Sequence, residues 1–232
     1  MSSQKIIYTG KTKDIYEYSD GNLLIIFKDD VTGENGIADP GSNAVLGEVK
    51  GKGKVSLKIT DYFFRLFQKE NLPTHFISVD LEKNAMIAKK AEMPGHMGAL
   101  EFVCRKLAFG SFSRRYGKYI SEKLLNLNFL VEITLKDDER GDPLINDDAI
   151  IALGIYGRED LKTAKALTVQ VAKVVDRELL QRGLNLIDMK IELGLVDGKI
   201  AVIDEVSPDA MRVMDKDGNI LSHEELYNAF FQ

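Results

Sequence analysis

Between residues 184 and 209 the chain reads LNLIDMKIELGLVDGKIAVIDEVSPD, two apolar strands around a VDGK turn. Asp188, Lys190, Glu192, Asp204 and Glu205 are threaded through it. Burying an unpaired charge costs several kcal/mol, about what one large core side chain contributes. Such a hairpin therefore holds a cation or a ligand, or it faces water. Period-two alternation puts Asp188, Lys190 and Glu192 on one face of the first strand and Ile187, Met189 and Ile191 on the other. A two-residue Asp197-Gly198 turn would set Glu205 opposite Lys190, whereas a three-residue loop with Gly198 as a left-handed bulge would set Asp204 there. In the second register Glu192 is diagonal to Asp204, and both could bind one hard divalent cation. Magnesium typically takes one or two carboxylates and fills its shell with water and phosphate oxygens. An exposed face of surface ion pairs, worth about 0–1 kcal/mol each, explains the same residues, and spacing does not choose between these readings.

Other charged segments suit phosphate chemistry. GKTK at 10–13 resembles the end of a Walker A motif, but Lys5 stands where its first glycine is needed and no strand-to-helix context follows. A tight turn between strands is what these residues can form. Lys11 and Lys13, two apart and on one side, could then lie across ATP phosphates as the glycine-rich hairpin of kinases does. A solvated hairpin tip is the plainer alternative. KGKGKVSLK at 50–58 is a basic patch without interleaved aromatics for base stacking, so it reads as a lid or plain surface. Arg105, Ser111, Arg114 and Arg115 surround a glycine at an expected helix start, where guanidiniums and backbone N–H groups suit a phosphate.

These residues need a scaffold. KIIYTG, DIYEYS and LLIIFKDD read as strands between turn signals, and residues 31–53 as a long mobile loop. KITDYFFRLFQKEN is an amphipathic helix, followed by strands in THFISV, AMIAKKAE and ALEFVCRKLAF. GSFSRRYG starts a short helix, LNFLVEITLK is a strand, and KDDERGDP an acidic loop. Asn146 is placed to cap a helix in NDDAIIALG, Gly183 ends a long helix from Arg158, and HEELYNAFF forms the last helix. Strands first and helices later indicate an α+β protein of two lobes, a mostly antiparallel β-rich lobe over 1–92 and a helix-plus-hairpin lobe over 93–232.

The 232-residue chain carries a formal charge of -5, which argues against a molecule built as a whole to bind nucleic acid. Cys104 is its only cysteine, so an internal disulfide and a cysteine-based zinc site are excluded. His75, His96 and His223 lack metal-ligand spacing. No apolar run approaches membrane-spanning length, and MSSQKIIYTG has no signal-peptide core, so a cytoplasmic protein without membrane partners is expected.

Taken in order, YTGKTKDIY, LEFVCRKLAFGSFSRRYG, LKDDERGDPLINDD, LIDMKIELG and DEVSPDAMRVMD resemble the SAICAR synthetase family of purine biosynthesis. The resemblance implies a two-lobed α+β ligase with a kinase-like nucleotide site. It would use ATP and magnesium to join the carboxylate of carboxyaminoimidazole ribonucleotide (CAIR) to the amine of L-aspartate, releasing ADP and phosphate. It makes Glu192 and Asp204 magnesium ligands, which favours the bulged register. Lys190 becomes the contact to the CAIR carboxylate, with Asp188 beside it as a second catalytic candidate. Lys11 and Lys13 would contact nucleotide phosphates and Lys90 would line the adenine pocket. Arg105, Ser111 and Arg212 would hold the ribonucleotide phosphate and Asp209 would lie near its ribose, while Lys136 and Asp142 would serve aspartate. A homodimer is one candidate assembly.

The chain also departs from the family. Val103-Cys104-Arg105-Lys106 stands for Val-Val-Arg-Asn, and Arg212-Val213-Met214-Asp215 for Arg-Leu-Trp-Asp. Leu57-Lys58 replaces a pair of asparagines, and DPGSNAVLG is inserted before KGKG. A relative with a different amine or carboxylate, a small-molecule phosphotransferase, and a non-catalytic polyanion-binding module stay open as competing readings.

Overall fold

The computed structural model describes residues 5–34, 37–38, 44–93 and 100–232. β1 (Ile6–Thr9) and β2 (Lys13–Glu17) pair antiparallel, and Gly10 closes the turn between them by donating its N–H to the Lys13 carbonyl at 2.8 Å. β3 (Leu23–Phe27) extends this sheet. β4 (Asp30–Glu34), β5 (Ile37–Ala38) and β6 (Val45–Glu48) form a small antiparallel sheet inside the stretch that lacked periodicity. Residues 35–36 and 39–43 of that expected loop lie outside the described residues.

α1 (Lys52–Lys69) starts six residues before Lys58, where the apolar period alone would begin it. The added turn is fixed from outside the helix. The Asp29 carboxylate accepts the N–H groups of Gly51 and Gly53, each at 2.9 Å, which satisfies donors that a helix start leaves open. Glycine is needed at 53, because a Cβ there would lie 2.7 Å from the Lys28 carbonyl oxygen. Leu57, Ile59, Phe63, Phe64 and Phe67 bury the apolar face of α1 completely. β7 (Phe76–Asp80) and β8 (Ala85–Ala88) complete the five-stranded order β1-β2-β3-β8-β7.

β9 (Leu100–Leu107), α2 (Gly110–Tyr116) and β10 (Asn126–Leu135) come next. α3 (Asp147–Ala152) is capped by Asn146, whose side chain accepts the Ala149 N–H at 2.8 Å. α4 (Arg158–Leu180) packs against β9 and β10, and Gly183 ends its last turns at φ +71°. β11 (Asn185–Val196) and β12 (Lys199–Ile203) form the charged hairpin, followed by β13 (Met211–Met214). α5 (His223–Phe231) opens with a reciprocal capping box between Ser222 and Glu225.

Asp197 and Gly198 both have positive φ, 51° and 73°, and are the only residues between β11 and β12. That is the two-residue primed turn, so the bulged register that the resemblance favoured is not formed. In the two-residue register Glu205 would face Lys190 if the ladder ran on. The ladder stops first, because β12 ends at Ile203 and Asp204 turns off at φ 65°.

The chain divides into two compact units, each an α+β assembly of antiparallel sheets and helices. One takes in the chain up to Met93 together with Gly194–Ala210 and Ser222–Gln232. The other runs on to Leu193 and adds Met211–Leu221. A boundary thus falls beside residue 92, and the hairpin tip, β12 and α5 return to the first unit, where α5 packs on α1. Among the described residues no helix is long and apolar enough to cross a membrane.

Candidate active site

In the second unit, strand order builds a row of charges. Asp188 on β11 is opposite Arg105 on β9 and, on its other side, opposite Arg212 on β13. Its carboxylate accepts from Arg105 Nη1 and from Arg212 Nε, each at 3.0 Å. Arg105 also donates to Ser111 Oγ at 3.1 Å and to Glu132 at 2.6 Å, and Arg115 shares that glutamate at 2.5 Å. Phe109 lies under the Arg212 guanidinium at 5.4 Å. These contacts set three guanidiniums, Arg105, Arg115 and Arg212, against the carboxylates of Asp188 and Glu132, with Arg105 and Asp188 buried. Such a fixed, desolvated set of forked donors is suited to a phosphate.

Gly110 makes room for this row. Its φ of +54° disfavours a side chain, and a Cβ there would lie 2.3 Å from Arg212 Nη1. The arginine thus reaches over the start of α2 only because residue 110 has no side chain.

Two residues further along β11, Lys190 donates to Glu101 at 2.7 Å. Glu101 lies opposite Glu192 across the β9–β11 ladder, an arrangement that by itself is destabilising. Two lysines compensate it, Lys190 on Glu101 and Lys136 on Glu192 at 2.5 Å. Burial pushes the Lys190 ammonium down, but Glu101 outweighs it and holds its pKa above lysine's ordinary value. Asp142, at φ 49°, accepts the Asp137 N–H and folds the acidic loop that follows Lys136.

In the first unit, Lys13 at the start of β2 bridges Asp204, at 2.8 Å, and Glu205. Burial works against its charge, but the two carboxylates outweigh it and raise its pKa above the ordinary value. Ser207 donates to Glu205 and accepts the Asp209 N–H. Asp209 is a buried hub that accepts from Lys52 at 2.5 Å and Ser56 at 2.7 Å and pairs with His223 at 3.0 Å. Burial opposes the charge of Asp209, yet His223 and Lys52 hold its carboxyl below the usual range. Lys11 sits in the β1–β2 turn, half-buried. Lys90 is exposed and lies beyond β8, which ends at Ala88 instead of running through AMIAKKAE.

The structure therefore brings Arg105, Ser111, Asp188 and Arg212 together, sets Lys190, Glu192 and Lys136 along the same strand face, and joins Lys13 to Asp204. Sequence reasoning missed Glu101, Glu132 and Lys52. The first two were visible only as acids inside apolar strands, and Lys52, read as lid or surface, is 3% exposed at the first turn of α1. Two departures from the family are taken up elsewhere. Lys106 donates to Asp176 on α4 and to Asn185, each at 2.6 Å, and Lys58 donates to the Tyr227 hydroxyl on α5 at 2.8 Å.

Comparison with known proteins identifies the family and the fold. The SAICAR synthetase family model matches residues 6–226. A phosphoribosylaminoimidazole-succinocarboxamide synthase of Clostridium tetani is 44% identical over 218 residues, 93% of this chain and 94% of that protein. One from Methanocaldococcus jannaschii is 37% identical, covering 91% of this chain and 82% of its own. Among solved structures, a SAICAR synthetase in complex with ADP superposes with a TM-score of 0.85 at 28% identity, over 98% of this chain and 97% of that one. The Pyrococcus horikoshii SAICAR synthetase gives 0.78 at 28% identity, over 95% and 91%.

Proposed function

The chain belongs to the SAICAR synthetase family, and from that premise we propose how its residues serve an ATP-dependent ligation of CAIR to L-aspartate. A CAIR carboxylate oxygen attacks the γ-phosphorus of ATP, and ADP leaves. The aspartate amine then attacks the acyl carbon, and phosphate leaves as the amide forms. The observation that carries this reading is the Arg105–Asp188–Arg212 row with Ser111, a ready cradle for the phosphate of a ribonucleotide. Asp188 accepts from both guanidiniums and so orients them.

Lys190, kept charged by Glu101, is the proposed contact for the CAIR carboxylate. Lys11 and Lys13 are assigned to the nucleotide phosphates, Lys90 to the adenine, Asp209 to the ribose of CAIR, and Lys136 and Asp142 to aspartate. Glu192 and Asp204 offer the hard oxygen donors that magnesium prefers. Glu192 accepts from Lys136 and Asp204 from Lys13, so each of these carboxylates stands beside a lysine in addition to the role proposed for it. Magnesium, when bound, would screen and orient the phosphates. We place the enzyme in the cytoplasm, and a homodimer is its proposed assembly, which sedimentation would test.

The test of function is ADP release with CAIR and a panel of amino acids. Turnover should require CAIR and an amine together, with aspartate preferred. ADP release with CAIR alone, leaving a stable phosphorylated product, would indicate a phosphotransferase instead.

A further inference from the structure

Every nitrogen of the Arg105 guanidinium has a partner, and each partner comes from a different element. Nη1 donates to Asp188 on β11, Nη2 to Ser111 on α2, and Nε to Glu132 on β10. Asp188 and Ser111 belong to the proposed phosphate cradle, whereas Glu132 stands outside it. These bonds take three of the five N–H groups that an arginine carries, and they fix the plane in which the other two also lie.

Strand register sets Glu132 where it can do this. Across the β9–β10 ladder Arg105 is opposite Leu130 and Val103 is opposite Glu132, so Glu132 is the diagonal neighbour of Arg105 on one face of the sheet. The alternate residues Phe102 and Cys104 go to the core on the other face. Diagonal positions are about 7–8 Å apart, a gap that only long side chains close. Glutamate and arginine close it with a tight, dry contact: Glu132 Oε2 accepts from Arg105 Nε at 2.6 Å, and the two side chains are 10% and 4% exposed. The same oxygen accepts from Arg115 Nη2 on α2 at 2.5 Å. Arg212, Asp188, Arg105, Glu132 and Arg115 thus form a chain of alternating sign from β13 across the sheet to the last turn of α2. A guanidinium held from one side only can still turn, and a ligand must then order it at an entropic cost. Held by Asp188 on one side and Glu132 on the other, Arg105 is ordered before any ligand arrives, which spares the ligand that cost.

We propose that Glu132 is a positioning residue: through Oε2 it fixes the Nε edge of Arg105 and so presents that guanidinium, already oriented, to the ribonucleotide phosphate. Its importance for substrate binding rests on the reading of Arg105 as a phosphate contact.

The test compares Glu132→Leu, which removes the acceptor, with Glu132→Gln, whose amide oxygen can take the place of Oε2 without the charge. Glu132→Ala is a second acceptor-free variant should the leucine not fold. The first readout is a crystal structure of the acceptor-free variant. The Arg105 guanidinium should turn out of its bond to Asp188 or to Ser111. Both bonds retained would overturn the proposal, whatever Arg105 binds. The second readout is ADP release at varied CAIR and, separately, at varied dephosphorylated nucleoside. Without the acceptor the Michaelis constant for CAIR should rise about tenfold, and the preference for the ribonucleotide should fall by a similar factor. The constant for ATP should hold, and Glu132→Gln should stay close to the parent. A lower urea midpoint with that preference intact would mean a role in folding alone and would overturn the proposal. Equal losses in the leucine and glutamine variants would show that Glu132 supplies charge instead of placement, and would overturn it too. Arg105→Met in parallel separates the two ideas. If it keeps the preference for the ribonucleotide, the phosphate assignment of Arg105 fails while the crystal structure still judges Glu132.

Discussion

Adding one methyl group at Gly110 should disable the ribonucleotide site while leaving the nucleotide site intact. At φ +54° an alanine pays about 1–2 kcal/mol for the left-handed backbone. Its Cβ would lie 2.3 Å from Arg212 Nη1 and 3.0 Å from Cζ, well inside contact distance. The clash itself is cheap to relieve, because a guanidinium can swing away. What is lost is its placement, meaning the 3.0 Å bond from Nε to Asp188 and the ring of Phe109 beneath it. A charge-assisted hydrogen bond to the ligand is worth about 1.5–3 kcal/mol, so the Michaelis constant for CAIR should rise about ten- to a hundredfold. That for ATP should stay nearly constant. The assay is ADP release at varied CAIR, alongside urea unfolding to measure the backbone cost. Arg212→Met should show the same rise, and should also erase the preference for the ribonucleotide over its dephosphorylated nucleoside. The double variant should be no worse than the poorer single one, since both remove the same contact. If Gly110→Ala loses its stability increment yet keeps the parent value for CAIR, Arg212 does not hold the phosphate and the reasoning fails.

Asp204→Asn and Glu192→Gln should each cut turnover by orders of magnitude with little change in urea midpoint; near-parent rates at limiting magnesium would remove them as ligands. Lys52→Met strips a cation from the buried Asp209 hub and should cost about 3–5 kcal/mol in urea unfolding, as breaking a buried pair does. A loss below about 1 kcal/mol would show that the first turn of α1 does not depend on this pair. Because the carboxyl of Asp209 is held below its ordinary 3.8, its contribution is fully present above that pH and lost as pH falls through the lower folded value. Asp209→Asn should therefore flatten the acid limb of a pH–stability curve measured below pH 4, and an unchanged limb would contradict the pairing.

Much of this protein was legible in one dimension. Period-two alternation placed Asp188, Lys190 and Glu192 on one strand face, and Asn146 and Gly183 marked helix ends, because such signals depend on neighbours within a few residues. The chemical types needed for phosphate were equally visible at Arg105, Ser111, Arg114 and Arg115, whereas Arg212 entered only through the family resemblance. Partners were not. Alternation says which side a residue faces but not which strand lies beside it. Lys190 was expected among Asp188, Glu192 and Asp204, whereas its ammonium bonds Glu101, contributed by a strand 89 positions away in sequence. Lys52 looked like a mobile surface lysine until Asp209, far along the chain, supplied the buried carboxylate that draws it in. The hairpin register turned on two φ angles at Asp197 and Gly198 that the letters VDGK permit but do not require. The row Arg105–Asp188–Arg212 exists because β13, formed late in the chain, pairs with β11 on the side that β9 leaves open. Sequence supplied the charges and their faces; only the order of strands, a matter of long-range packing, decided which charges meet.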